Sequence, residues 1–368
     1  MSVSISKTLS SKIKAVSFLC TVLIVLLHAY EQSLVSESNH CSIYVAKFLS
    51  LGVCEMATPF FFIISGFLLA CQYDNGMPYS QLLKRRLSSL GKPYVYWCIL
   101  YALIYVVFNV LCNHLAGRAL NENTCLVMPL YSWENPFRVL NPFRILGFDL
   151  FEFPVNGPLW YVRNLFFLVL LSSVLMTVMK IKARGQIFIA LVFVLYMVHF
   201  TIPSPWHKFF QTGFSFRGLL FFSIGIYLER FPMAWKPEVL VPWLLCFVWL
   251  LLALPWQLSP TLEFIVLRVS IVIGCIALWS IYDIIPWREK LESWHGIQYS
   301  FFIYASHFAI LNILFCKKAC DLIRLHIMNS DLLIYTARFV VPLAMSMAMA
   351  AILDRYMPKI YRALTGGR

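Results

Sequence analysis

Apolar runs long enough to cross a membrane follow one another along almost the whole 368-residue chain. A transmembrane helix needs about 20 mainly apolar residues, and a series of such runs is not expected in a water-soluble domain. Charged residues make up only 13% of the sequence, against about 25% in ordinary globular proteins. The sequence therefore predicts an all-α fold, a polytopic transmembrane helical bundle that forms a single membrane domain over residues 1–368.

We predict about ten spans, and the distribution of basic residues orients them. The spans are expected near residues 12–32, 43–72, 93–112, 158–179, 186–202, 213–229, 238–256, 261–284, 297–315 and 332–353. Loops on one side of this topology hold 18 Lys and Arg residues, and loops on the other side hold 7. Because cytoplasmic loops carry the excess of positive charge, the N- and C-termini are both predicted to be cytoplasmic. This bias explains the net charge of +13 without a nucleic-acid partner.

Two segments depart from this regular pattern. Residues 113–157 contain no apolar run long enough to span, and they predict a long outer loop with a functional role. Pro59 lies inside the second predicted span. Proline lacks the N–H that would complete the helix, so we expect a kink there and another partner for the carbonyl that is freed.

A polar stripe runs along the first predicted span. On a helical wheel Lys14, Ser17, Thr21, His28 and Glu31 fall on one side, and such a stripe faces protein or water. His28 lies about 21 Å along the axis from Lys14. Imidazole changes its charge near neutral pH, so His28 is a candidate general base, with Glu31 placed to orient the ring. A histidine bonded to a hydroxyl of a neighbouring helix fits the spacing equally well.

Other ionisable residues within the predicted spans are also candidates, because each costs about 3 kcal/mol or more at the bilayer centre. Those predicted in the outer half are His28, Glu31, Lys47, Arg163, Arg217 and Arg338. Their common depth suggests a polar cavity open to the outside. In the ninth span Tyr304 and His307 share a helical face with Ser300, and a hydrogen bond between helices is the favoured interpretation there.

A basic cluster, Lys84, Arg85 and Arg86, lies in a predicted cytoplasmic loop. It either sets the topology and contacts lipid headgroups or binds a ligand that carries phosphate. The histidines lack the paired spacing of metal ligands, so no metal site is predicted.

Six segments, in order, resemble the acyltransferase-3 family, integral-membrane O-acyltransferases that modify cell-surface carbohydrates. They are LIVLLHAY, ATPFFFIISGFLL, LLKRRLSSLGKPYVYW, NGPLWYVRNLFFLVLL, FRGLLFFSIGIYLER and YSFFIYASHFAIL. The resemblance covers nearly the whole membrane domain. It implies an acyl-CoA co-substrate that approaches from the cytoplasm, no bound cofactor, and an acceptor hydroxyl outside.

The resemblance also implies roles for individual residues. His28 matches the histidine regarded as catalytic, and Arg85 and Arg86 match the basic loop assigned to the donor's phosphates. Trp160 and Arg163 match the outer start of the fourth helix. The chain departs from the pattern at Ser17, where the family has an arginine, and at Ser89, where the basic loop has a second one. Lys14, one turn before Ser17, could supply the missing charge as a point charge.

We therefore predict a membrane O-acyltransferase of the cell envelope, in the plasma (inner) membrane. It would transfer an acyl group, expected to be acetyl, to a hydroxyl of a surface polysaccharide or a lipid-linked sugar, by direct transfer or through an acyl-histidine intermediate. The expected partners are acyl-CoA, the acceptor carbohydrate and membrane lipid.

Residue by residue, catalysis is assigned to His28 and Glu31. Substrate binding is assigned to Lys14, Ser17, Lys84, Arg85, Arg86, Trp160, Arg163, Tyr304 and His307. A transporter or flippase for a sugar-type solute is the alternative function. That class predicts repeated halves, which the sequence does not show.

Overall fold

A computed structural model describes residues 6–30, 40–120, 136–203, 205–232, 238–326 and 330–367. Within these ranges every regular element is helical and no strand occurs. The predicted all-α fold is confirmed.

The α-helices in these ranges follow one another in chain order. They are α1 (Lys7–Leu27), α2 (His40–Ala46), α3 (Ala57–Asp74), α4 (Tyr79–Arg86), α5 (Lys92–Leu115), α6 (Pro142–Ile145), α7 (Trp160–Leu170), α8 (Ser172–Val178), α9 (Lys182–Val198), α10 (Trp206–Lys208), α11 (Phe216–Arg230), α12 (Leu240–Leu252), α13 (Pro260–Ile281), α14 (Arg288–Ser293), α15 (Ser300–Ser306), α16 (Lys317–His326), α17 (Asp331–Tyr356) and α18 (Pro358–Thr365). Four further segments are π-helical: Lys47–Val53, Leu87–Gly91, Phe209–Gly213 and His307–Cys316.

Six helical segments of the described ranges are long and apolar enough to cross a membrane. They are Lys7–Leu27, Cys41–Asp74, Tyr79–Leu115, Trp206–Arg230, Pro260–Ile284 and Asp331–Tyr356. A seventh span results if α7 and α8, which meet at a bend of 61°, cross together. The chain is therefore a multi-pass membrane protein. The other three predicted spans coincide with α9, α12 and the stretch from α15 through its π-helix, so a total of ten stays a prediction, as does the side of each terminus.

The helices α3 and α11 pack with their backbones in contact. A methyl group added at Gly66 would overlap the carbonyl oxygen of Phe222, and one added at Gly225 would overlap that of Ile63. Small residues allow this approach, and close packing of this kind holds helices together in a membrane, where burial of apolar surface does not.

The second predicted span changes its helix type just before Pro59, and the carbonyl that Pro59 frees has a partner. Pro59 lies in the first turn of α3, directly after a π-helical stretch and the 3₁₀ turn Cys54–Met56. Because proline has no N–H, the carbonyl of Glu55, four residues earlier, lacks its helical donor. Arg217, at the start of α11, donates to this carbonyl from Nη2 at 2.8 Å and also to the Glu55 carboxylate. An arginine is thus the partner that the freed carbonyl requires.

The end of the predicted outer loop is an internal part of the bundle. Residues 121–135 lie outside the described ranges, but residues 154–159 are buried. The side-chain amide of Asn156 donates to the carbonyl of Ala305 at 3.0 Å, and the hydroxyl of Tyr304 donates to the carbonyl of Pro158. The segment before α7 therefore enters the bundle and packs against α15.

Candidate active site

His28 lies at the C-terminal cap of α1, where the helix ends inside the bundle. Its ring packs on Phe308 with the ring centroids 4.2 Å apart, and the ring of His307 is 5.3 Å away. Asn312 donates to the His28 carbonyl at 3.0 Å, which fixes the backbone at this position. The described residues supply no hydrogen-bond partner for the His28 ring nitrogens. Both nitrogens are thus open to a ligand.

His307 is fully buried, and the backbone fixes its tautomer. Its Nδ1 lies 2.9 Å from the carbonyl of Tyr304 and 3.1 Å from that of Ile303. Carbonyls only accept, so Nδ1 carries the proton and Nε2 carries the lone pair. No group in the described part of the chain donates to Nε2, although the side chain is 0% exposed. An unsatisfied buried polar atom in a native structure points to a functional role or to a bound group.

A buried arginine, Arg338, is linked to His28 through Asn312. Arg338 is 1% exposed, and its Nε and Nη2 donate to Oδ1 of Asn312 at 2.9 and 2.8 Å. Since Asn312 in turn donates to the His28 carbonyl, the charge of Arg338 is linked to the cap of α1. We call His28, His307, Asn312 and Arg338 the histidine cluster.

The sequence did not reveal Asn312 because of local helix geometry. In an α-helix a residue five positions after His307 points about 140° away from it. The stretch His307–Cys316 is π-helical, and its hydrogen bonds run from each residue to the fifth along, which stacks Asn312 one turn after His307. Short π-helical stretches are frequent at functional sites.

A line of rings leads from the histidine cluster toward the basic loop. The rings of Tyr304 and His307 lie 6.4 Å apart, and those of Tyr161 and Tyr304 lie 6.1 Å apart. The hydroxyl of Tyr161 is 2.9 Å from that of Ser65 and donates to the carbonyl of Phe61 at 3.2 Å.

The three members of the basic cluster differ in where they point. Lys84 and Arg85 are exposed, whereas Arg86 is half-buried and lies within electrostatic range of Tyr161. The Nη2 of Arg86 is buried, and no group of the described ranges accepts from it. Arg86 is therefore the member that reaches the line of rings.

Along the polar stripe of α1, burial increases from Lys14 to Thr21, and His28 beyond them is half-buried. Lys14 is exposed, Ser17 is half-buried and Thr21 is buried, with the Thr21 hydroxyl donating to the Ser17 carbonyl at 3.1 Å. This gradient fits a polar cavity that is open beside Lys14. Glu31 lies outside the described residues, so its place beside His28 stays a prediction.

Lys12 faces the other side of α1 and makes a structural ion pair. Its Nζ lies 2.7 Å from each carboxylate oxygen of Asp283 and 3.7 Å from the ring centroid of Trp279. These contacts join the start of α1 to the end of α13. Lys14, by contrast, is exposed and makes no ion pair with any residue in the described ranges.

Arg163 holds the segment before α7, which we call the inserted segment, by hydrogen bonds from within the bundle. It is 5% exposed and donates to the carbonyls of Asp149 and Glu152 at 2.8 and 2.9 Å. Gly147 is bordered by both Arg163 and Tyr94, and Tyr94 belongs to the first turn of α5, next to the basic loop. Arg163 thus lies beside the start of α5. Its predicted position in the outer half stays a prediction, as does the side of the membrane on which the basic loop lies.

Trp160 opens α7, two residues after the buried Pro158. It is half-buried, and its ring packs at 6.3 Å from that of Phe62 on α3. Its assignment to substrate binding stays a prediction, as do the assignments of Lys84 and Arg85.

A second polar cluster surrounds Glu55 and Arg217. Arg268 of α13 donates to the carbonyl of Tyr196 at 2.6 Å and lies 3.5 Å from Nε2 of His199. Arg217 lies within electrostatic range of both Arg268 and His199. We call Glu55, Arg217, Arg268 and His199 the arginine cluster. Of the residues predicted in the outer half, Arg217 belongs to the arginine cluster, whereas His28 and Arg338 belong to the histidine cluster. The shared outer cavity stays a prediction.

A cavity of about 450 Å³ lies on the flank of the bundle, between the start of α5, α7 and the inserted segment. Its walls are mainly apolar, and the side chains with polar groups that line it are Lys92, Tyr94, Tyr96 and Arg163. Neither histidine of the histidine cluster lines it.

Comparison with protein-family models gives one match. A model described as an acyltransferase domain, that of the acyltransferase-3 family, matches residues 12–351. No curated protein matches the chain. No solved structure matches it either.

Proposed function

This chain belongs to the acyltransferase-3 family, and we propose that it transfers an acyl group, acetyl in the simplest case, from acyl-CoA to a sugar hydroxyl. The acceptor in this proposal is a surface polysaccharide or a lipid-linked sugar on the outer side of the plasma membrane. Acyl transfer by a multi-pass membrane protein follows from the family and the helices. The donor, the acceptor and the catalytic histidine are our proposal.

The observation that carries the proposal is the arrangement of His28 and His307. The His28 ring nitrogens have no partner among the described residues, and the lone pair on Nε2 of His307 has none either. The two rings lie 5.3 Å apart. A neutral imidazole with an open nitrogen inside a bundle is suited to general base catalysis, because its lone pair can take a proton from a hydroxyl.

In the reaction we propose, His28 removes the proton from the acceptor hydroxyl while the oxygen attacks the thioester carbonyl. The new C–O bond forms, the C–S bond breaks, and the thiolate of coenzyme A takes the proton back from the His28 imidazolium. His307 accepts the N–H of His28 at Nε2 and so keeps the other nitrogen of His28 unprotonated. Hydrogen bonds of this kind tighten only when substrates are bound.

The donor would reach His28 along the polar side of α1 and the line of rings. Arg86 is the one basic-cluster residue whose guanidinium is turned inward, and guanidinium groups bind phosphate oxygens with charge-assisted hydrogen bonds. Lys14 and Ser17 lie on the same side of α1 as His28. This arrangement supports approach of acyl-CoA from the side of the basic loop, with the acceptor arriving from the opposite side.

The test compares wild type with His28→Ala and with the matched control His114→Ala. His114 is an exposed histidine near the end of α5. Purified protein in detergent is incubated with labelled acetyl-CoA and a panel of lipid-linked and polymeric glycans, and label in the glycan is measured. We expect His28→Ala to lose transfer by about 10²-fold or more and His114→Ala to retain it.

Full activity of a folded His28→Ala variant would refute the assignment of the base. If wild type transfers label to none of the glycans and moves a solute across liposome membranes, the proposed enzyme activity is refuted and the transporter alternative is favoured.

A further inference from the structure

The arginine cluster carries more positive than negative charge. Arg217 pairs with Glu55, and the side chains of these two residues are 21% and 23% exposed. Arg268 is 8% exposed, and the described residues place no carboxylate in a salt bridge with it. His199 donates from Nδ1 to the carbonyl of Tyr196, at 3.0 Å, which leaves its Nε2 as the neighbour of Arg268. The histidine is therefore the neutral acceptor of the pair.

Neutral groups hold Arg268 in place without cancelling its charge. The guanidinium lies between two rings, 4.0 Å from the centroid of Tyr196 and 3.7 Å from that of Phe264. It also donates to the carbonyl of Tyr196 in the last turn of α9, where the helix end carries a partial negative charge. Both contacts are weaker than an ion pair. An excess charge among membrane helices is costly, and residues that carry one mark binding sites or pathways.

Both arginines have hydrogen-bonding capacity to spare. The Nε of Arg217 and the Nε of Arg268 are buried, and no described residue accepts from either. A guanidinium offers five N–H donors in a planar fork that matches phosphate and carboxylate geometry. Two such groups, with open donors and one surplus charge, are suited to an anion that accepts several hydrogen bonds.

The surroundings of the cluster favour an anion that arrives from the lipid. The helix α9 ends beside His199, and it exposes a set of apolar side chains along its length: Ile187, Leu191, Val194, Leu195 and Val198. A hydrocarbon chain lying along this face would bring its head group to Arg268. We propose that the arginine cluster binds a phosphate ester carried on a membrane lipid. We assign this phosphate to a lipid-linked sugar that serves as acceptor, and this assignment rests on the proposed function.

The first experiment measures binding of inorganic phosphate to the full-length protein in a neutral detergent, without acyl-CoA. The midpoint of thermal unfolding is followed as phosphate is titrated against chloride at constant ionic strength. Arg217→Gln and Arg268→Gln are each expected to raise the Kd for phosphate about tenfold or more. The control Arg230→Gln removes an arginine that is already bound to Asp74 and to the carbonyl of Met176, and it should leave the Kd unchanged.

The variant Glu55→Gln separates a binding site from a structural ion pair. Removal of the carboxylate raises the surplus charge of the cluster, so we expect Glu55→Gln to bind phosphate more tightly than wild type. A structural pair would be weakened by Glu55→Gln with no gain in phosphate binding. That outcome, or an equal response of Arg230→Gln and Arg268→Gln, would overturn the proposal even if an arginine variant failed to fold.

The second experiment distinguishes the two sources of phosphate. Mixed micelles contain either a polyprenyl phosphate or phosphatidylglycerol, and the same unfolding midpoint is followed. Stabilisation by polyprenyl phosphate alone, lost in Arg268→Gln, supports the acceptor assignment. Equal stabilisation by both lipids supports the phosphate site and overturns the acceptor assignment. Because neither experiment involves acyl transfer, failure of the proposed enzyme activity would be seen separately.

Discussion

The histidine cluster and the arginine cluster contain buried guanidinium groups in opposite states. Arg338 gives two hydrogen bonds to Asn312 and is 1% exposed, and the open atoms of its cluster are imidazole nitrogens. In the arginine cluster the imidazole of His199 is engaged on both sides, and the open atoms are guanidinium nitrogens. The histidine cluster therefore offers nitrogen lone pairs that accept hydrogen bonds, and the arginine cluster offers N–H groups that donate them.

This difference indicates two kinds of ligand. Open lone pairs receive protons, so the histidine cluster is suited to chemistry on a hydroxyl. Open donors with a surplus charge receive an anion, so the arginine cluster is suited to holding a charged part of a substrate. The predictions below change the atoms on which this comparison depends.

The largest effect is expected at Asn312, which accepts two hydrogen bonds from Arg338 and donates one to the His28 carbonyl. Asn312→Leu removes the one oxygen that accepts two hydrogen bonds from the buried Arg338 and should lower the free energy of unfolding by about 3 kcal/mol. The double variant Asn312→Leu with Arg338→Met also removes the buried charge that lost these two hydrogen bonds and should recover part of that stability. Reversible unfolding in mixed detergent micelles measures both variants. A double variant less stable than Asn312→Leu would show that Arg338 is held by other contacts.

A smaller effect is expected from loss of the lone pair on His307. His307→Phe keeps an aromatic ring of similar size and removes both nitrogens. We expect kcat to fall by about 10²-fold, while the KM for acyl-CoA stays the same because the donor would bind nearer to Arg86. Steady-state kinetics with labelled acetyl-CoA measures both constants. If only KM changed, His307 would belong to substrate binding and not to the base.

The smallest effect is expected at the basic cluster, where Arg86 and Arg85 form a matched pair. Arg86→Gln should raise the KM for acyl-CoA about tenfold, since one charge-assisted hydrogen bond is lost from a half-buried site. Arg85→Gln, at an exposed position, should change KM by about threefold or less, because exposed charge contacts are weak. Equal effects of the two variants would mean that the inward turn of Arg86 has no role in donor binding.

The helices and the polar stripe that contains His28 could be predicted from sequence, because apolar length and a polar residue on an apolar face are local properties. The catalytic role of His28 stays a prediction. The second span shows this best. Pro59 predicted both a break and a carbonyl in need of a partner, since these follow from a missing N–H. That the partner is Arg217 could not be predicted, because it depends on which helix packs against α3.

Two other features depended on tertiary packing. The contacts of Arg163 with the carbonyls of Asp149 and Glu152 could not be predicted, because they depend on how the segment before α7 folds back into the bundle. Asn312 was overlooked because the α-helical period places it away from His307. Only the π-helical register of His307–Cys316 brings these two side chains to the same face.

The contact between α3 and α11 has a consequence for motion. Gly66 and Gly225 bring each helix against a backbone carbonyl of the other, so sliding of one helix along the other would force main-chain atoms together. This contact therefore opposes sliding of α3 past α11. An opening and closing that admits one substrate while excluding water is easier where the helices are interrupted, as at the 61° bend between α7 and α8, than across this close contact.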